Sequence, residues 1–486
     1  MKVTLFRKVG LISVAVFALL ALAACGGGGG GGTTSAGGGS ASTSTSSTGT
    51  ITGFGSVYVN GVKFDTASTS ISLDGASGSE SLLKVGMVVK VKGTISADGS
   101  TGSASSIKFS SDVEGPISAK DLVAKTLTVL GQTITVDDAT VFEGATGLGD
   151  LTLVVGNTVE VSGFRTASGI TASRVEKKTS SNIQVKGTIS NLNTTATTFK
   201  LGTLTVNYGG ILPQNLPTLS NGLLVEVKAN AIPATAADPL IATKIEAEDT
   251  AETEGHKLEV EGYVSGFTNT TSNFKVAGQT VSVTSTTVFA SGTIADLKDG
   301  AKIEAEGVLT NGVLVASKVS FEKSDLIKVN IKVEAPVEAI DANSITVLGQ
   351  KFTFSALTQM EDKTGIQAKL NVGNIFSTIL LGDHVAVRGF KNSAGVLIAT
   401  RIERNADTKI VIQGPLAAPV SPNMTILGLS VITSSTTKFE AAGDVLISAA
   451  TFFTTTPVGT IVKVTGTKTG TGTAAVITAT QVEIED

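Results

Sequence analysis

Gly86-Met-Val-Val-Lys-Val-Lys-Gly93 decides how the rest of the chain is read, because five further stretches follow the same plan. They are Gly156-Asn-Thr-Val-Glu-Val-Ser-Gly163, Gly222-Leu-Leu-Val-Glu-Val-Lys-Ala229, Gly300-Ala-Lys-Ile-Glu-Ala-Glu-Gly307, Gly382-Asp-His-Val-Ala-Val-Arg-Gly389 and Gly459-Thr-Ile-Val-Lys-Val-Thr-Gly466. In each, apolar residues stand three and five places after the first Gly with Lys, Glu or Ala between them. That alternation predicts a strand with one dry face and one mostly wet face. The first Gly returns at intervals of 66 to 82 residues, a period that fits an array of small domains.

Working outward, each copy opens with a short strand at a small-residue turn, such as Gly49-Thr-Ile-Thr, Gly115-Pro-Ile-Ser or Gly414-Pro-Leu-Ala. A hairpin follows, marked by Asn60-Gly61 in the first copy and by Gly131, Gly202, Gly278, Gly349 and Gly428 in the others. Glycine suits the left-handed backbone of such a turn. Next comes a Thr-x-Phe station at Thr140-Val-Phe142, Thr287-Val-Phe289 and Thr437-Lys-Phe439, with Met360 in its place in the fifth copy. The large residues there, like Phe64 and Phe199, read as core plugs. After the organising strand each copy ends in Ala-Ser/Thr-x-Ile/Val, as in Ala172-Ser-Arg-Val175 and Ala399-Thr-Arg-Ile402.

Five short strands in about sixty-five residues predict an all-β chain, a tandem array of six small five-stranded OB-like barrels, with a small β-sandwich as the alternative. Repeats are expected over 49–110, 111–178, 182–249, 254–322, 327–404 and 408–486. A unit this small buries only about 60% of its unfolded surface, so neighbouring units are expected to touch. The array is expected to run in chain order as an elongated row, with its loosest joint at 247–257. The repeated hairpin, the Gly-x-x-Val-x-Val-x-Gly strand and the closing Ala-Ser/Thr-x-Ile/Val resemble the bacterial envelope repeats called domain of unknown function 5666. The resemblance implies a secreted or lipid-anchored array of OB-like barrels and no activity. The third copy departs from the pattern at Ala229 and in the insert Leu212-Pro-Gln-Asn-Leu-Pro217.

The N-terminus carries an address. Lys2, Arg7 and Lys8 precede an apolar run that ends at Leu22-Ala-Ala-Cys25, which predicts a secretory signal peptide over 1–24. Leu-Ala-Ala-Cys also resembles a bacterial lipobox, and the resemblance implies that Cys25 is diacylated, becomes the mature terminus and is then N-acylated. Gly26, in place of an acidic residue, implies sorting to the outer membrane. Residues 25–48 then read as the lipidated cysteine and a flexible Gly/Ser/Thr tether, the chain after Cys25 reaching about 25 Å. Seven glycines at 26–32 are not a phosphate loop, since no strand precedes them and no Lys follows in place.

Composition bounds the rest. The chain has 486 residues, 55 Gly, no Trp and 5% aromatics. Without its leader it keeps 34 cations against 41 acids, a net charge of −7. That balance, with three tyrosines, disfavours nucleic acid as a partner. One Cys excludes an intrachain disulfide framework. Catalytic constellations are missing. His256 and His384 have no counterparts in other copies and read as ordinary surface histidines. The cluster Glu246, Glu248, Asp249, Glu252, Glu254, Glu259 and Glu261 lacks calcium-loop spacing and reads as a solvated acidic joint; Asp137-Asp138 reads as a hairpin exit. No catalytic residue, metal ligand or cofactor is expected, and Cys25 is the one site residue. The expected role is a non-enzymatic structural or multivalent interaction module that meets a membrane through its lipid and envelope proteins or glycans through its repeats. The alternative is a carbohydrate-binding or adhesive surface protein using loops 96–103 and 164–169, and more remotely an envelope hydrolase.

Overall fold

The computed structural model describes residues 43–485 apart from 138, 146, 151, 167, 180–181, 236, 249–251, 291, 322–329, 356–357, 365–368, 392–394 and 442–444. The expected signal peptide, Cys25 and the glycine run lie outside the described residues. Among the described residues no helix is long and apolar enough to cross a membrane.

The second repeat sets the pattern. Its barrel strands are Val113–Asp121, Thr126–Val129, Gln132–Thr135, Thr158–Thr166 and Gly169–Lys177, with a short extra strand, Val141–Glu143, beside the last. The first pairs antiparallel with the second and the second with the third, which lies parallel to the closing strand. The closing strand pairs with the fourth, and the fourth returns to the first, so the barrel closes. The order 1-2-3-5-4-1 recurs in the other five repeats. Closure removes most of the free edges that would make so small a sheet prone to association.

The organising strand is the fourth of each barrel, and its two glycines have different causes. The leading one is left-handed in all six copies, with φ from +81 to +94, and its N–H bonds the first strand, as from Gly156 to the Ile117 carbonyl at 2.8 Å. The trailing one sits at a bulge against the closing strand, where a Cβ would fall 2.3 Å from the Thr171 oxygen at Gly163 and 2.0 Å from that of Val315 at Gly307. In the third repeat the fourth strand ends at Ala229, which pairs with Ala242 across the same bulge. The Thr of the Thr-x-Phe station donates to the carbonyl of the closing-strand Ala, as from Thr140 to Ala172 at 2.9 Å and Thr437 to Ala479 at 2.8 Å. Phe64, Phe199, Phe439 and Met360 are buried as plugs, while Phe142 and Phe289 are half-buried against their cores. A short helix, Ala449–Thr455, adds Phe452 beside Phe439 in the sixth barrel.

Each first strand bends midway. Its early half bonds the fourth strand and its later half the second, which leaves one edge of the early half free. Barrels use that edge to pair. The second joins the third through 113–114 and 184–185, and the fifth joins the sixth through 332–334 and 411–413, both antiparallel. The first joins the fourth in parallel through 45–48 and 257–260. The paired cores of the second and third repeats form one apolar cluster, as do those of the fifth and sixth; the first and fourth keep separate cores.

Three expectations change. Residues 43–48 belong to the barrel, because the strand Thr43–Phe54 is hydrogen-bonded on both sides and Ser46 and Ser47 are buried by neighbours that composition does not reveal. The elongated row in chain order gives way to contacts that skip along the chain: the first repeat also touches the third, fourth and fifth. The mostly wet face of the organising strand is covered by these contacts, so Glu160, Glu226 and Glu304 are buried.

Candidate functional site

Joining two first strands lays the outer walls of two barrels side by side as a six-stranded saddle running closing, fourth, first, first, fourth, closing. On the fifth and sixth repeats this saddle floors a cleft of about 800 Å³, walled on one side by Leu122, Phe142 and Leu148 of the second repeat. That volume is within the range of ligand sites. Alternation along the strands puts Lys332, Arg388, Arg401 and Lys463 on the floor. Lys332 pairs with Glu334 at 2.8 Å, and Lys463 with Glu485 at 3.0 Å and with Glu483. Arg401 is only 3% exposed and bonds Glu403 at 2.6 Å and Glu361 at 3.0 Å through Nη2, while its Nε is buried without a partner. The Arg388 guanidinium is half-buried and makes no hydrogen bond or ion pair with a described residue.

Electrostatics follow from this crowding. Burial opposes the charge of Glu403, yet Arg401, Lys363 and Arg388 outweigh it and hold the carboxyl at about 2. Burial pushes the Lys332 ammonium down, and Arg388 adds repulsion that Glu334 only partly offsets.

The acidic joint is only in part the solvated stretch its composition suggests, with Glu246 and Glu254 exposed. Glu248 bonds Lys108 at 3.0 Å and Ser110, Glu252 pairs with Lys90 at 2.6 Å, and Glu254 accepts from the Asn311 and Gly312 N–H groups. Glu259 and Glu261 are buried at the joint between the first and fourth repeats, where Ser47 donates to Glu259 and Thr50 to Glu261. Asp249 lies outside the described residues. Carboxylate oxygens of Glu259, Glu304 and Glu306 come within 4.8 Å of one another, the one such acidic group among the described residues. Burial raises the Glu259 carboxyl, and its hydrogen bond with Glu304 fits a shared proton. His256 is exposed; His384 is half-buried with Nε2 2.8 Å from the Lys409 carbonyl. Asp137 caps the Ala139 and Thr140 N–H groups, and Asp138 lies outside the described residues. Loop 96–103 is largely exposed, but Phe164 is buried against Tyr263 with the Lys302 ammonium 4.9 Å above its ring.

Residues 48–108, 114–176, 261–320 and 334–403, just over half of the chain, match the family described as Domain of unknown function (DUF5666). The chain belongs to the DUF5666 family. The matched segments are the first, second, fourth and fifth DUF5666 repeats; the third and sixth close by the same strand circuit. No curated protein matches the chain. The solved structure described as "drosophila Unr CSD456" aligns over 46% of this chain and 96% of its own at 13% identity, with a TM-score of 0.13, too slight a superposition to carry an argument.

Sequence reasoning missed the floor of the cleft. Arg401 and its equivalent Arg174 stand at the same place in two DUF5666 repeats, a recurrence visible in the closing Ala-Ser/Thr-Arg-Ile/Val. What was not visible is that this face is covered by another repeat at Arg174 and floors a cleft at Arg401.

Proposed function

We propose that this chain is a non-enzymatic cell-envelope protein, fastened to a membrane through a lipid on Cys25 and acting as a structural or multivalent interaction module. The observation that carries the reading is the use made of the polar strand faces. Glu160, Glu226 and Glu304, which six independent binding units would present to ligands, are buried between repeats. Their burial favours one assembled body with few open faces over a string of equivalent sites. The leader-like start and the lipobox resemblance at Leu22 to Cys25 support a position outside the cytoplasm, and Gly26 supports the outer membrane. Neither a cofactor nor nucleic acid has a part in this reading, and envelope proteins or glycans are its partners.

Replacing Cys25 with Ser tests the anchor: the protein should move from the detergent-soluble membrane fraction to the soluble fraction, and unchanged partitioning sinks the lipid assignment. The second reading, carbohydrate binding or adhesion, draws on the cleft between the second and the fifth and sixth repeats. A glycan array probed with the purified protein separates the two. The hydrolase reading has its last foothold in His384, and a hydrolytic activity lost on His384→Ala would overturn the non-enzymatic proposal.

A further inference from the structure

The chain contains two antiparallel barrel pairs, and therefore the same saddle twice. On the second and third repeats it is occupied. The first repeat sits on it and offers acceptors: Arg174 donates to the Val85 carbonyl at 3.1 Å, Ser173 to that of Gly86 at 2.7 Å and Lys228 to that of Asp74 at 2.7 Å. Gln184 donates to the Asp74 carboxylate at 2.7 Å, and Lys186 to the Ser110 carbonyl at 3.0 Å. What fills this saddle is polypeptide, presenting carbonyl oxygens and one carboxylate to its donors, and the Val88 N–H and Ser110 hydroxyl to Ser162 and Glu226.

On the fifth and sixth repeats the same surface is the floor of the open cleft. Counting from the shared glycines and alanines, Lys332 stands for Asp112, Arg388 for Ser162 and Lys463 for Glu226, while Arg401 repeats Arg174. These exchanges add more positive charge than is lost where Gln413, Thr465, Gln481 and Asn405 replace Lys186, Lys228, Lys244 and Lys178. Among the described residues the Arg388 guanidinium is the donor left unused there; the Arg401 Nε is buried without a partner, as the Arg174 Nε is in the occupied saddle. We propose that the open saddle of the fifth and sixth repeats is a docking site for an acidic polypeptide segment, its carboxylates meeting Arg388 and Arg401 where the occupied saddle meets the Val88 N–H at Ser162 and the Val85 carbonyl at Arg174. A polypeptide is favoured over an acidic sugar because the occupied copy already displays the polypeptide fit. Charge complementarity supplies the specificity.

This inference deepens the interaction-module reading and rests on it. The test is fluorescence anisotropy of a labelled octaglutamate peptide with the full chain, with octalysine as the opposite-charge control and an oligogalacturonate as the acidic-sugar competitor. Octaglutamate should bind at low salt and weaken as salt rises. Arg388→Glu should weaken it by about tenfold or more, and Arg388→Gln by less. Lys200→Glu, on an exposed strand of the third repeat, should leave it unchanged. The Arg388 guanidinium makes no hydrogen bond or ion pair with a described residue, so Arg388→Gln should stay close to the parent melting temperature, while Arg388→Glu, which sets a carboxylate near Glu403, should lower it. Absence of octaglutamate binding, equal losses in Arg388→Glu and Lys200→Glu, or oligogalacturonate binding more tightly than the peptide would each overturn the proposal. Membrane partitioning of Cys25→Ser does not depend on the cleft, so failure here leaves the anchor reading standing.

Discussion

At the residue scale the two glycines of each organising strand should respond differently to one methyl group. Gly163 has the Thr171 carbonyl 2.3 Å from where a Cβ would go, and the backbone of the closing strand must shift to admit it. Gly163→Ala should cost about 2–4 kcal/mol, read from urea denaturation. Gly156 has open space around the same point and only its φ of +94 to oppose substitution, so Gly156→Ala should cost about 1–2 kcal/mol. Reversal of that order would remove the close approach as the reason for the trailing glycine. Glu160 carries a different liability. Burial raises its carboxyl to about 7, despite Lys178 at 3.2 Å. Between the ordinary carboxylate value and about 7 the folded protein therefore holds a proton that the unfolded chain has released, and stability from this group falls as pH rises through that window. Glu160→Gln should be close to neutral at pH 4.5 and gain about 2–3 kcal/mol over the parent by pH 8.5. A difference independent of pH would show that Glu160 does not titrate in this window.

At the element scale the first strand does the most work, and its early half was the hardest to read. Thr43, Ser44, Thr45, Ser46, Ser47 and Thr48 have the composition of a linker, and taken alone they could not bury enough surface to order themselves. They form a strand because the fourth strand of their own barrel lies on one edge and the first strand of the fourth repeat on the other. Hairpins and closing strands were legible, since turn glycines and strict alternation are local signals. Edge pairing was not, because any barrel with a bent first strand offers the same free backbone and the partner is chosen by the geometry of the whole. Deleting residues 43–48 should unpair the first and fourth repeats, so hydrogen exchange should speed up at 257–260 and stay protected at 274–281. Unchanged exchange at 257–260 would mean that the joint is held elsewhere.

At the scale of the whole molecule, the repeats cohere through more than sequence neighbours. The first repeat meets the fifth where the Phe54 N–H donates to the Leu370 carbonyl at 3.2 Å, Tyr58 bonds Asn371 at 3.3 Å and Glu80 pairs with Lys369. Chains covering 1–321 and 330–486, expressed together, should therefore elute as one complex on size exclusion; separate elution would show these contacts too weak to hold the repeats without the intervening chain. The barrel count and fold were legible from the recurrence of one strand. The cleft was not, because it is made by two barrel walls and a third barrel, and no single repeat contains it. The same blindness hid the buried charges: an alternating Glu looks solvent-facing until the molecule supplies its own cover.

The strand Thr43–Phe54 begins just where the chain emerges from its N-terminal stretch. Any pull arriving from that end acts along the strand, so its two flanking ladders are loaded in shear and their hydrogen bonds must yield together rather than unzip one by one. A protein moored by its N-terminus would thus meet tension at a joint clamped on both sides, and the first barrel would keep its closure until that clamp slipped.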